Sequence, residues 1–243
     1  MAVLLLAMSA AAVMAISTHR FSAATRRGPL ADAGSFDTSD LPLVELPARH
    51  RSGMLAVLVS GDGGWRAIDQ NVSAGLNARG ISVVGLVAPT YFARRRTPDE
   101  ASNALARIIS HYNQVWQTRR VIVVGYSRGA GVLPFMITRL PPALRRNIQE
   151  IALLGLERTI DFHFSARELL FDAPAELEIP VRGEIEKLRG SRILCFYGVH
   201  ESDSLCRELA PPLATRVAEP GSHHFSGDYD QLARTIWRTA MDN

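Results

Sequence analysis

The chain reads as an α/β protein, a mostly parallel sheet of about six strands flanked by helices. Two patterns predict this. Short continuous apolar runs have the length of strands buried on both faces. Between them lie stretches whose apolar residues recur at helical spacing. Composition agrees with a folded core: 47% of residues are apolar and 21% charged, which excludes a disordered chain.

The elements follow in order. Met54 to Val59 is an apolar run that predicts the first core strand, broken by Ser60-Gly61-Asp62-Gly63-Gly64. Trp65, Ile68, Val72 and Leu76 then mark a helix, and Gly80 stops it. Ile81 to Val87 predicts a second strand. Pro98 opens a helix whose apolar face is Leu105, Ile108, Ile109 and Tyr112. Val121 to Val124 predicts a third strand, followed by a sharp glycine turn and a helix to about Leu140. Ile151 to Leu156 is the fourth strand, Arg192 to Tyr197 the fifth and Thr215 to Ala218 a short sixth. Asp228 to Met241 closes the chain as a helix. Residues 157–190 lack a clear period and read as an insertion beside the site.

The 243 residues suit one domain with a tail. Residues 1–16 carry no charge and are too few to span a bilayer comfortably, so they read as a signal peptide or N-terminal anchor. Residues 17–45 read as a flexible linker and 46–243 as the folded domain. A net charge of +3 gives no reason to expect nucleic acid as a partner. Two cysteines are too few for a disulfide-built scaffold. No pattern calls for a metal or an organic cofactor.

Gly125-Tyr126-Ser127-Arg128-Gly129 is G-x-S-x-G between a buried strand and a helix, the context in which that motif lifts a nucleophilic serine from an α/β-hydrolase sheet. The serine needs a base, and in this fold the acid and then the histidine follow it in the chain. His224, in the loop between the last strand and the last helix, is the expected base, with His223 as alternative. Asp203, after the fifth strand, is the expected acid, with Glu201 as alternative. The backbone N–H groups of Arg128 and Asp62 are the expected oxyanion donors. Cys195 and Cys206 bracket the acid loop at a spacing that permits a disulfide, which an exported protein would keep; two free thiols are the alternative.

Several segments together resemble the VirJ/AcvB family of bacterial virulence proteins. They are Ser60-Gly61-Asp62-Gly63-Gly64-Trp65 with Asp69, Gly125-Tyr126-Ser127, Cys195-Phe196-Tyr197-Gly198 with Asp203-Ser204-Leu205-Cys206, and His223-His224-Phe225 with Gly227-Asp228-Tyr229. The resemblance spans about residues 50–240 and departs from the expected pattern at Arg128, which crowds the elbow or binds an anionic group. It implies an α/β-hydrolase exported to the periplasm, associated with type IV secretion components and with hydrolysis of lysyl-phosphatidylglycerol. Ser127, Asp203 and His224 would then be the triad of an esterase acting on an aminoacyl phospholipid. Asp62 or Asp69 would receive the amines of the lysyl group. Arg94-Arg95-Arg96 would hold the lipid phosphate, and Phe162, Phe164, Leu169, Leu170 and Phe171 would contact acyl chains or belong to the core. Two other readings stand beside this one: a secretion-associated accessory protein on a hydrolase fold, and a general carboxylesterase.

Overall fold

A computed structural model of the chain describes residues 36–164 and 177–242. The expected N-terminal leader, most of the expected linker, and Leu169, Leu170 and Phe171 lie outside the described residues. Seven strands form the main sheet. In chain order they are β1 (Leu43–Leu46), β2 (Met54–Val59), β3 (Ser82–Leu86), β4 (Arg120–Tyr126), β5 (Ile148–Leu154), β8 (Ile193–Gly198) and β9 (Thr215–Glu219). A separate two-residue ladder pairs β6 (Thr159–Ile160) with β7 (Ile179–Pro180).

The main sheet runs β1-β3-β2-β4-β5-β8-β9. Every pairing in it is parallel except β1 with β3. β1 is the seventh strand beyond the six expected, and it begins inside the segment read as linker. Its four residues, Leu-Val-Glu-Leu, sit between prolines and are only partly buried, so no long apolar run announces them. Leu41 is already buried just before it.

Two helices cover one face of the sheet, α1 (Ala67–Ala78) and the C-terminal α7 (Tyr229–Met241). Ile68, Val72, Leu76, Leu232, Ala233 and Ile236 pack there on Ala56, Leu58, Val83 and Ile122. The other face meets α3 (Pro98–Val115) and α4 (Arg128–Thr138) through Leu105, Ile108, Leu133 and Ile137. Successive residues of β2 therefore feed opposite cores, which is why its six residues are all buried and all apolar. A capping box starts α3: Thr97 accepts the N–H of Glu100 at 3.1 Å, and the Glu100 carboxylate accepts the N–H of Thr97 at 2.8 Å. The short helices α2 (Ala88–Tyr91), α5 (Pro142–Arg145) and α6 (Arg182–Glu186) fill the connections.

The chain leaves β2 for β3 on one side and reaches β4 on the other. The carboxyl ends of β2 and β4 thus flank a topological switch point, where open α/β sheets bind ligands. Val59 of β2 pairs in register with Gly125 of β4, so the loops that follow them start side by side.

Cys195 and Cys206 form a disulfide with their Cα atoms 5.3 Å apart. The bridge closes the loop after β8 that carries Glu201 and Asp203. Replacing both cysteines by serine is expected to cost about 2–3 kcal/mol through freed loop entropy, read as a lower urea midpoint at unchanged slope.

Candidate active site

Ser127 stands between β4 and α4 with φ 52° and ψ −119°, a left-handed conformation that a non-glycine residue adopts only at a strained turn. The surroundings enforce it. The Ser127 N–H donates to the carbonyl of Leu154 (2.9 Å), and its carbonyl accepts the N–H of Gly131 (3.1 Å). A Cβ on Gly129 would lie 2.0 Å from the carbonyl oxygen of Val59, and one on Gly125 would lie 2.5 Å from the Gly129 backbone. Both glycines of the motif are therefore steric requirements of backbone touching backbone. Gly129→Ala is expected to yield little soluble folded protein, measured by circular dichroism and expression yield.

The loop after β2 lies against this turn. A Cβ on Gly61 would sit 3.2 Å from that of Ser127. Ser60, fully buried, ties the loop down by accepting the N–H of Ala88 at 3.0 Å and donating to the carbonyl of Gly61 at 3.2 Å. Asp62 and Arg128, whose backbone amides are the expected oxyanion donors, are joined through their side chains: Arg128 Nε donates to Asp62. Arg128 Nη1 also donates to the carbonyls of Asp161 (2.7 Å) and His163 (3.1 Å). Arg128 is thus a buried strut between the nucleophile turn, the β2 loop and the segment at β6.

The histidine loop is where structure and sequence expectation differ. His223 Nδ1 donates to Glu201 Oε1 at 2.6 Å. Glu201 is 5% exposed, and its other oxygen accepts the N–H of Gly198 at 3.1 Å. That hydrogen bond, supported by the carboxylate charge, holds the His223 imidazole above the usual histidine range. His224 Nδ1 instead meets the hydroxyl of Tyr126 at 2.6 Å. Among the described residues no hydrogen bond links Asp203 to either histidine. The expected pair His224 and Asp203 is therefore not brought together, whereas the alternatives His223 and Glu201 are. The physical reason lies in the loop: a bridge between Ser222 and Phe225, with Phe225 at φ 57°, turns the two adjacent imidazoles to different partners. The His223 ring lies tilted beside that of Tyr126, the residue before Ser127, with centroids 5.5 Å apart.

Two residues of the site escaped sequence reasoning. Gly155, read as part of the fourth strand, follows the last residue of β5 with φ +60°. A Cβ there would lie 2.8 Å from His223 Cε1, so Gly155 makes room for the imidazole. A glycine inside an apolar run was the signal available. Glu157, two residues on, has its Oε1 3.5 Å from Ser127 Oγ, which donates to it. Withdrawal from bulk water pushes its carboxyl above the usual carboxylate range. The acid loop is held to this segment, since Leu205 N–H (2.8 Å) and Ser204 Oγ (3.2 Å) both donate to the carbonyl of Leu156. Glu157, Arg158, Thr159, Glu201, Asp203, Ser204 and His223 line a cavity of about 360 Å³.

Other expected ligand contacts are occupied by the protein itself. Asp69 is 1% exposed and caps α1 by accepting the N–H of Arg66 at 3.0 Å; burial pushes its carboxyl up to about 6. It is closed to a substrate amine. Arg94 and Arg96 face Glu100, and Arg95 donates to Asp161 at 2.6 Å. Phe162 is core, packed edge-on to Phe92 and Phe135.

Comparison with known proteins agrees with this fold. The fold is similar to that of MenH from S. aureus, with TM-score 0.60 and 13% identity, covering 82% of this chain and 98% of that one. It is also similar to Est1E from Butyrivibrio proteoclasticus (TM-score 0.59, 12% identity, 82% and 92%). An esterase, EaEST from Exiguobacterium antarcticum, is similar as well (TM-score 0.56, 11% identity, 82% and 94%). At these identities the likeness establishes the α/β-hydrolase fold. Among curated proteins no significant match was found. The model of the family described as bacterial virulence protein (VirJ) matches residues 53–243.

Proposed function

Since the chain belongs to the VirJ family of bacterial virulence proteins, we propose that it is a serine esterase whose nucleophile is Ser127, whose base is His223 and whose acid is Glu201. One observation carries this reading: a serine in a strained strand-to-helix turn donates to Glu157, which lines one cavity with a histidine whose Nδ1 is bound to a buried carboxylate at 2.6 Å. The roles given to His224 and Asp203 by sequence pass to their neighbours because only His223 and Glu201 are paired.

In this mechanism Ser127 Oγ attacks the ester carbonyl carbon and its proton moves to His223 Nε2. The tetrahedral oxyanion is received by the backbone N–H groups of Asp62 and Arg128, the second at the N-terminal end of α4, where the helix dipole favours negative charge. The C–O bond to the leaving alkoxide breaks as Nε2 returns the proton to it. Water then attacks the acyl-enzyme, gives its proton to Nε2, and Ser127 leaves with that proton. Glu201 holds the imidazole in the required tautomer and stabilises its cationic form.

The substrate we propose is the aminoacyl ester of lysyl-phosphatidylglycerol or a related aminoacyl phospholipid, met at a membrane surface in the periplasm. The family resemblance supports the lipid, and the Cys195–Cys206 disulfide suits an oxidising compartment. Among the described residues no helix is long and apolar enough to cross a membrane.

The test is incubation of the purified protein with lysyl-phosphatidylglycerol vesicles, with free lysine and phosphatidylglycerol followed by mass spectrometry. Release that disappears in Ser127→Ala supports the reading. Absence of release by folded wild-type protein removes this lipid as substrate. Full biological activity of Ser127→Ala would favour the accessory-protein reading instead.

A further inference from the structure

We propose that Glu157 is the specificity residue of this site, the carboxylate that receives the α-ammonium group of the acyl moiety and so selects aminoacyl esters over neutral ones. The inference rests on the reading of Ser127 as nucleophile and deepens it by assigning the acyl side of the pocket.

Glu157 follows β5, between the nucleophile turn and the acid loop, and lines the same cavity as His223 and Glu201. Its one hydrogen bond among the described residues is the long contact from the Ser127 hydroxyl, at 3.5 Å. Three other carboxylates of the site are already matched: Asp62 by Arg128, Glu201 by His223, Asp161 by Arg95. The guanidinium of Arg158, the cation on the cavity wall, is paired with Glu208. Among the described residues no guanidinium or ammonium pairs with Glu157. Its charged neighbours His223 and Arg128 are each bound to another carboxylate, so a Glu157 withdrawn from water beside the reacting atom is costly unless a ligand supplies further positive charge.

Geometry defines that ligand. When Ser127 Oγ bonds to an acyl carbon, an α-nitrogen lies two bonds further on, about 3 Å from Oγ. Glu157 Oε1 is 3.5 Å from the same oxygen. An α-ammonium turned to the Glu157 side of Oγ therefore falls within charge-assisted hydrogen-bonding distance of that carboxylate. Before the attack, an α-ammonium bound at Glu157 takes the place of the serine hydroxyl there and leaves that hydroxyl to His223. The α-ammonium is common to lysyl and alanyl esters, so Glu157 reads the aminoacyl class and not its side chain.

The test uses the full protein and two p-nitrophenyl esters of matched shape, alanyl and propionyl, at a pH where the alanyl amine is protonated. The ratio of their kcat/KM values is compared between wild type, Glu157→Gln and Glu157→Asp; intrinsic ester reactivity cancels in that comparison. Glu157→Gln is expected to lower the alanyl preference about 30-fold, and Glu157→Asp to keep part of it. A ratio unchanged in Glu157→Gln overturns the role of Glu157 while leaving the esterase reading in place. Loss of activity on both esters in Ser127→Ala verifies the shared premise. Wild-type protein that cleaves neither ester overturns the esterase reading and this inference together.

Discussion

His223→Ala is expected to lower kcat/KM for ester hydrolysis by about 10³-fold or more, while His224→Ala lowers it less than about tenfold. The two imidazoles are adjacent in the chain but differently placed. His223 has the buried Glu201 behind its Nδ1, which leaves Nε2 to accept the serine proton. His224 spends its Nδ1 on the Tyr126 hydroxyl, a phenol that burial pushes well above its usual range and keeps neutral. Among the described residues no carboxylate is hydrogen-bonded to His224, so it lacks the partner that orients a general base. The acids should separate in the same way: Glu201→Gln costs about 10²–10⁴-fold, and Asp203→Asn little. The pH profile offers an independent check. The base works in its neutral form, and Glu201 holds His223 above the ordinary histidine value, so the acidic limb of kcat/KM should lie above about 6.5. In Glu201→Gln that limb should move to lower pH. Equal losses from the two histidine variants would sink this assignment.

Glu150→Gln is expected to stabilise the protein, by up to about 3 kcal/mol more at pH 8 than at pH 5. Glu150 lies in β5 on the face covered by α1 and α7, fully buried, and neither carboxylate oxygen has a hydrogen-bond partner among the described residues. Burial pushes its carboxyl up to about 8, against a partial counter-effect from Arg192. The sign follows from proton linkage. Between the unfolded value of 4.5 and the folded value of about 8, the native state binds more protons at this position than the unfolded chain does. Wild-type stability therefore falls as pH rises through that window, and glutamine removes the titration. Urea unfolding of both proteins at several pH values measures it. A stability difference that stays constant from pH 5 to pH 8 would count against a protonated Glu150.

Much of the scaffold was legible in the chain. The run Met54–Val59 is a strand buried on both sides because both its faces meet helices, and continuous apolar residues say so directly. Pro98, at the first position of α3, marked its start, and Asp228 accepts the N–H of Gln231 to cap the last helix. The edge strand β1 was not legible: it is short, half-buried and antiparallel, and its pairing with β3 is a long-range contact that no local pattern encodes.

The site divides along the same line. By itself the sequence determined the alternating α/β order, the serine in its glycine-flanked turn and the bracketing of the acid loop by cysteines, because each depends on periodicity, local sterics or spacing. Only the tertiary structure decided which of His223 and His224, and which of Glu201 and Asp203, stand together, and that Glu157 faces Ser127. The two histidines and the three carboxylates sit in irregular loops after three different strands, where side-chain direction follows from loop conformation and packing, not from a repeat. Adjacent loop residues can face different partners, as the Ser222–Phe225 bridge makes the two histidines do.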